Sequence, residues 1–205
     1  MKKIYFVLVS VMLFLSGATA NAQFGQGDKF INTAEVIYSP VTFSVNMMGV
    51  DLSVNMNAVA IDWTQSYALM QDNPLYLLYG GVLQYTWGGK DFNDKGMQYF
   101  TATIPLSLGY DFVIPKTKFS VLPYAGINVY DHIIGKAGDI DLFDSYDMEG
   151  EEFEDFGFGW QVGAKFVYDR YILGVGYQGP ISNLYSADEV KVNLSQVNIS
   201  LGIRF

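Results

Sequence analysis

Two places in this 205-residue chain hold residue types that could do chemistry. The first is "VYDHIIG", which carries the sole histidine, His132, next to Asp131. A histidine suits general-base catalysis, but it needs a nucleophile or an orienting carboxylate on the same wall. Neighbouring residues of a strand face opposite sides, so Asp131 cannot orient His132 there. His132 is therefore expected to be a loop-end histidine, and no enzyme is expected. The second place is "GDIDLFDSYDMEGEEFEDF". Hard cations take several oxygen ligands from flexible segments, which makes Asp139, Asp141, Asp144, Asp147 and Glu149 the candidate ligands for a divalent cation, Ca²⁺ being the cofactor that fits. The spacing is not that of an EF-hand, which needs Gly at its sixth position and Glu at its twelfth. A solvated, charge-repelling surface loop is the simpler reading of the same run.

These residues must be held by something, and the N-terminus says where. "MKK", the apolar run "IYFVLVSVMLFLSG" and the small-x-small "ANAQ" form a secretory signal peptide, with cleavage expected after Ala22. Residues 1–22 are then a leader and 23–205 one domain. The chain has no Cys, so no disulfide supports it in a compartment that would permit one. The formal charge is −9; without Lys2 and Lys3 it is 10 basic against 21 acidic residues, or −11. That excludes the basic footprint of a nucleic-acid binder. Charged residues are 16% of the chain, below the usual quarter, with 15 Tyr, 15 Phe and 21 Gly. No window after residue 22 is long and apolar enough for a membrane helix. Such a chain must be a soluble β protein or a membrane β-barrel.

Period-two alternation runs through the domain and marks strands with two unlike faces. "VTFSVNM" sets Val41, Phe43, Val45 and Met47 against Thr42, Ser44 and Asn46, and "LSVNMNA" answers it across "MGVD". "LYLLYGGVLQYTW", "FTATIPLSLGYDF", "FSVLPYAGINVYD", "FGFGWQVGAKFVY", "YILGVGYQG" and "VNLSQVNISLGIRF" follow, giving eight segments. "QDNP", "PKTK" and "YDRY" read as tight turns, while "WGGKDFNDKG", the acidic stretch and "GPISNLYSADEVK" read as longer loops. Short turns on one rim and long loops on the other are the pattern of outer-membrane barrels, with the hairpin at "MGVD" the exception, since it should be long and is short. Pro40, Pro105 and Pro123 fall inside these segments, which predicts bulges or strand ends there. Residues 24–38 are an extension, the start of the first strand, or an extra strand.

Two architectures share this alternation: a lipocalin-like soluble barrel with its apolar face inward, and a membrane barrel with that face on lipid. A soluble exterior is rich in Lys, Glu, Asp and Arg. Here the polar face is Gly, Ser, Thr, Asn and Gln, which suits a filled lumen. Trp63, Tyr67, Tyr76, Tyr79, Tyr85, Trp87, Tyr99, Tyr110, Phe112, Tyr168 and Tyr171 sit near strand ends, where amphipathic rings form two girdles. The fold expected is all-β: a closed antiparallel up-and-down transmembrane β-barrel of eight strands.

On "ANAQ", the strands "FGFGWQVGAKFVY" and "YILGVGYQG", and the final "VNISLGIRF", the chain resembles the small outer-membrane β-barrel proteins of Gram-negative bacteria, OmpA/OmpX-like and PorT-like. The resemblance covers residues 23–205. It implies the cell outer membrane as address, and membrane lipid, lipopolysaccharide and the outer-membrane assembly machinery as partners of a monomer. It also assigns Val197, Ile199, Leu201, Ile203 and Phe205 to the membrane-insertion signal. Strand phase alone points Asp111, Lys165 and Arg204 into the lumen, with Glu35 and Asp62 as further candidates, and burial would force them to pair. An eight-stranded barrel is just wide enough to be filled by its own side chains, so no general pore is expected. The function expected is a non-enzymatic scaffold presenting acidic loops. The alternatives are a PorT-like accessory subunit of a secretion or transport machine, and a soluble lipocalin-like binder of an apolar ligand.

Overall fold

The computed structural model describes residues 30–47, 50–70, 73–90, 96–137, 140–141, 156–183, 185–187 and 190–205. The predicted leader and most of the acidic run, including Asp139, Asp144, Asp147 and Glu149, lie outside them.

Among the described residues there are eleven strands: β1 (Phe30–Met47), β2 (Val50–Met70), β3 (Asn73–Gly88), β4 (Met97–Tyr110), β5 (Phe112–Val113), β6 (Phe119–Ala137), β7 (Ile140–Asp141), β8 (Phe156–Tyr168), β9 (Tyr171–Pro180), β10 (Tyr185–Ala187) and β11 (Val190–Arg204). Eight of them pair in the order β1–β2–β3–β4–β6–β8–β9–β11, and β11 pairs back onto β1 from Thr33↔Arg204 to Met47↔Val190. β5 and β7 are two-residue ribbons on β6, and β10 is a three-residue ribbon on β11. Every pairing is antiparallel, and the ring has no edge. Closure satisfies each strand's backbone within the wall, the condition for crossing a bilayer with strands.

Residues 30–38 belong to β1, with Thr33 to Tyr38 paired on both sides, so this part of 24–38 begins the first strand, while residues 24–29 lie outside the described residues. Pro40 and Pro105 sit within long strands rather than at bulges or ends. The ladder is interrupted beside each, yet register is kept: Tyr38↔Ile199 and Val41↔Gln196 bracket Pro40, and Thr103↔Val82 and Leu106↔Tyr79 bracket Pro105. Pro123 pairs with Ala164 in an unbroken run. The register shifts lie elsewhere, between Ala68 and Met70 and opposite Phe100/Thr101, where β6 carries one extra residue at Ile133.

The faces decide between the two architectures. Phe158, Trp160, Val162, Leu173, Val175, Val197, Ile199, Leu201 and Ile203 all stand outward and exposed, Leu201 at 65%. Gly, Gln, Ser and Lys165 alternate with them and point inward. The lipocalin-like alternative, with this apolar face inward, is thereby overturned. At the rim of short turns, Phe30 packs on Tyr67 and Tyr110 on Phe112. Toward the other rim, Tyr85 stacks on Trp87 and Trp160 lies against Tyr177. These are two aromatic girdles. Tyr99 is not in them: it is 6% exposed, inside the lumen, edge-on to His132. Tyr76 shares the inward phase of Leu78 and also leaves the girdle.

One expectation fails in a specific place. Val41, Phe43, Val54 and Met56 form a buried cluster with Ala58, Met97, Tyr99 and Val192, inside the ring at the long-loop rim. Their alternating partners Ser44, Asn46, Ser53 and Asn55 stand on the outer surface. The phase is as read, but in this stretch the apolar side faces inward. β1 has 18 residues and β2 has 21, against 10 in β9, and a tilted strand needs only ~9–11 to cross a bilayer. The surplus projects beyond the membrane, where water rewards a polar exterior.

Candidate functional site

Among the described residues, the lumen gathers buried polar side chains from distant parts of the chain. It is built in layers. Nearest the short turns, Leu78, Leu122, Val167 and Ile172 are all below 10% exposure and form an apolar floor. Val167 and Ile172 flank the turn in which Asp169 takes a left-handed φ of 56°.

Above the floor lies an ionic layer. Glu35 and Asp62 are direct cross-strand neighbours on β1 and β2. Lys165 reaches them from β8 and forms a buried ion pair with Glu35, Nζ donating to Oε1. Ser200 Oγ donates to Glu35 Oε2 at 2.6 Å, and Thr64 Oγ1 to Asp62 Oδ1 at 2.7 Å. Lys165 Nζ stands 6.0 Å from the centroid of the Tyr124 ring. Glycine makes that ring's place: a Cβ at Gly163 or Gly176 would lie 2.6 or 2.7 Å from its hydroxyl oxygen. A cavity of ≈ 50 Å³ beside this layer has room for a few waters.

A belt of amides closes the next level. Gln84 and Gln196 exchange two hydrogen bonds at 3.0 and 3.1 Å. Gln196 Nε2 also donates to Gln178 Oε1 at 2.7 Å, Gln178 Nε2 to Gln161 Oε1 at 3.0 Å, and Gln161 Nε2 to Ser107 Oγ at 2.7 Å. Side chains of β3, β11, β9, β8 and β4 are thus linked across the bore. Outside the belt, a second cavity of ≈ 50 Å³ is lined by Tyr99, Thr101, Asn128, Tyr130 and His132, among others. The apolar cluster around Phe43 and Met56 fills the remaining width.

His132 is not a loop-end residue. It is 3% exposed, within β6, with Nδ1 hydrogen-bonded to Thr101 Oγ1 at 2.8 Å and its ring between Tyr99 and Tyr130. Asp131 follows the opposite phase, paired with Ala102 and Phe156. Of the lumenal charges read from sequence, Lys165 stands in the ionic layer, joined by Glu35 and Asp62. Asp111 lies at the short-turn rim, where its backbone N–H donates to Pro74 O at 2.8 Å. Arg204 is at the same rim, Nε donating to the Asp169 carbonyl at 2.8 Å. The amide belt had no expectation attached to it. Its signal was a single inward Gln on each of four strands. Among the described residues no group of three or more His, Asp or Glu could hold a metal ion.

Phe205 stands on the outer surface beside the short-turn rim. Its ring meets Trp63 edge-on at 5.0 Å, and its backbone exchanges hydrogen bonds of 3.2 and 2.9 Å with Asn32. Val197 to Ile203 precede it on the same exposed face.

A closed ring of eight antiparallel strands, apolar outside with two aromatic girdles and hydrogen-bonded inside, is a transmembrane β-barrel of the outer-membrane type. No family model matches the chain, and no curated protein matches it. Among solved structures it is similar to Ail, the attachment invasion locus protein of Yersinia pestis, at 15% identity and TM-score 0.43, over 87% of this chain and 100% of that one. It is similar to the outer membrane enzyme PagL at 14% and 0.47, over 82% and 98%. Neisserial surface protein A gives 16% and 0.41, over 86% and 96%. These likenesses concern the course of the chain alone. The cell outer membrane is this barrel's location on the strength of its own surface.

Proposed function

We propose that this barrel is a non-enzymatic scaffold of the outer membrane, sealed through its lumen, that holds its acidic long loops at the cell surface. The observation that supports this reading is the stack of layers inside the ring: apolar floor, ion pair, amide belt, apolar cluster. Each layer joins opposite walls, and the two cavities described between these layers each have room for only a few waters. Planar-bilayer recording of the folded protein is expected to give no large steady conductance. A large steady conductance overturns the sealed lumen. His132→Ala and the native chain are expected to give the same background in lipid-ester and peptide hydrolysis assays, and a rate lost with His132 overturns the non-enzymatic reading.

Within the small outer-membrane barrels, an OmpA/OmpX-like or PorT-like kinship is our finer reading of the strands "FGFGWQVGAKFVY" and "YILGVGYQG". On it, Val197, Ile199, Leu201, Ile203 and Phe205 serve as the insertion signal of a monomer. Phe205→Ala is expected to lower the amount reaching the outer membrane while leaving refolding in detergent intact. Equal loss in both would reduce Phe205 to a structural anchor on Trp63. The acidic loop is proposed to take Ca²⁺ weakly near the cation-bridged surface, and calorimetry of the folded protein showing no Ca²⁺ heat removes that part.

A further inference from the structure

The charges of the ionic layer do not balance. Glu35, Asp62 and Lys165 are 3%, 8% and 7% exposed, so two carboxylates face one ammonium and leave a formal charge of −1 inside the lumen. The two carboxylates are also served unequally. Glu35 accepts from Lys165 Nζ on Oε1 and from Ser200 Oγ on Oε2. Asp62 accepts from one hydroxyl, Thr64 Oγ1, on Oδ1. Among the described residues nothing donates to Asp62 Oδ2, and Lys165 makes its ion pair with Glu35 rather than with Asp62. A buried charge is expensive unless it is paired, so the layer calls for one more positive charge beside Asp62.

The fold keeps room for it. Asp62 and Thr64 line the ≈ 50 Å³ cavity that also borders the amide belt. Glycines hold this space open: a Cβ at Gly174 would lie 2.2 Å from Ser200 Oγ, and one at Gly176 2.7 Å from the Tyr124 hydroxyl oxygen. Ser107, Gln161, Gln178 and Asn198 line the same cavity. The side-chain oxygen of each accepts one hydrogen bond and keeps a second lone pair. The lining is therefore one unpaired carboxylate oxygen among neutral hydroxyl and amide oxygens. Neutral carbonyl oxygens are the groups that replace the hydration shell of a monovalent cation. A space that holds a few waters also holds one such ion with part of its shell. A divalent ion would turn −1 into +1, and a grouping of three or more His, Asp or Glu to hold one is absent among the described residues.

We propose that one small monovalent cation, sodium or potassium, binds at Asp62 Oδ2 in this cavity and brings the ionic layer to zero charge. The site rests on the sealed-lumen reading, and the two fail separately: conductance tests the seal, whereas stability tests the ion.

The protein is folded into vesicles of zwitterionic phospholipid at one ionic strength, with sodium, potassium or N-methylglucamine as the sole cation. N-methylglucamine screens charge equally but is too large for the cavity. The urea midpoint of the native chain is expected to be higher in sodium or potassium, and the rise to saturate as either replaces N-methylglucamine. The charge count then predicts the variants. Asp62→Asn and Glu35→Gln each bring the layer to zero without an ion, and both are expected to lose the dependence. Lys165→Met takes the layer to −2, and its dependence is expected to be steeper than that of the native chain. Equal midpoints in the three salts overturn the proposal and leave a proton as the charge that neutralises Asp62. A small-cation effect that persists in Asp62→Asn and Glu35→Gln also overturns it, because the ion then binds elsewhere, as on the acidic loops. Should Asp62→Asn fail to fold, Glu35→Gln decides by the same criterion.

Discussion

Lys165 balances two carboxylates in a place water barely reaches. Glu35 is its direct partner, and Asp62 lies across the strand from Glu35. Removing one partner of a buried pair costs about 3–5 kcal/mol, because the other is left uncompensated. The three-member cluster makes the two deletions unequal. Lys165→Met leaves Glu35 and Asp62 facing each other, whereas Glu35→Gln leaves Lys165 with Asp62 and keeps the hydrogen-bonding shape toward Ser200. Lys165→Met is therefore expected to lose most of that range in urea unfolding from lipid vesicles, and Glu35→Gln clearly less. Equal losses would mean that Asp62 offers no compensation. The inward phase of Lys165 was legible in "FGFGWQVGAKFVY", but its partner was not. Glu35 precedes it by 130 residues, and which strands meet across a bore depends on closure and stagger that no local pattern encodes.

At the scale of the strand, the alternation states that two faces differ without saying which solvent each meets. In β8 and β9, and in β11 from Val197 to Ile203, the apolar face is outward, as the sequence suggested, whereas Val192 near the start of β11 turns inward into the outer cluster. In the outer halves of β1 and β2 the same rhythm has the opposite sense, because those residues lie above the bilayer. The surplus length of β1 and β2 is the cause, and the sequence does not show it, because residues 24–38 read equally as an extension, the start of the first strand, or an extra strand. The distinction has measurable consequences. Leu201→Arg places a charge on the lipid face, where arginine costs ~2–4 kcal/mol at mid-depth. Thr42→Arg places it on the projecting wall and is expected to change the vesicle unfolding free energy little. Met56→Ala removes a fully buried side chain from the outer cluster and is expected to cost about 2–5 kcal/mol. If Thr42→Arg proved as damaging as Leu201→Arg, the wall would lie within lipid. Two of the tight turns were legible for a plain reason: Pro115 and Asp169 are turn-forming types, and Lys116 and Asp169 adopt positive φ in those turns.

For the molecule as a whole, every layer of the lumen depends on the ring being closed, and the ring's stability in lipid depends on its outward face. The central claim is that this outward face meets hydrocarbon. Nature has placed the reporters: the three tryptophans of the chain, Trp63, Trp87 and Trp160, all lie on outward phases, with Trp87 and Trp160 37% and 41% exposed. A closed barrel is also expected to migrate differently on a denaturing gel before and after boiling, which provides the control for folding. The decisive measurement is tryptophan fluorescence of the folded protein in vesicles whose phospholipids carry bromine on their acyl chains. Strong quenching relative to unbrominated vesicles is the predicted result. Unquenched emission from a heat-modifiable, vesicle-bound barrel would contradict the account.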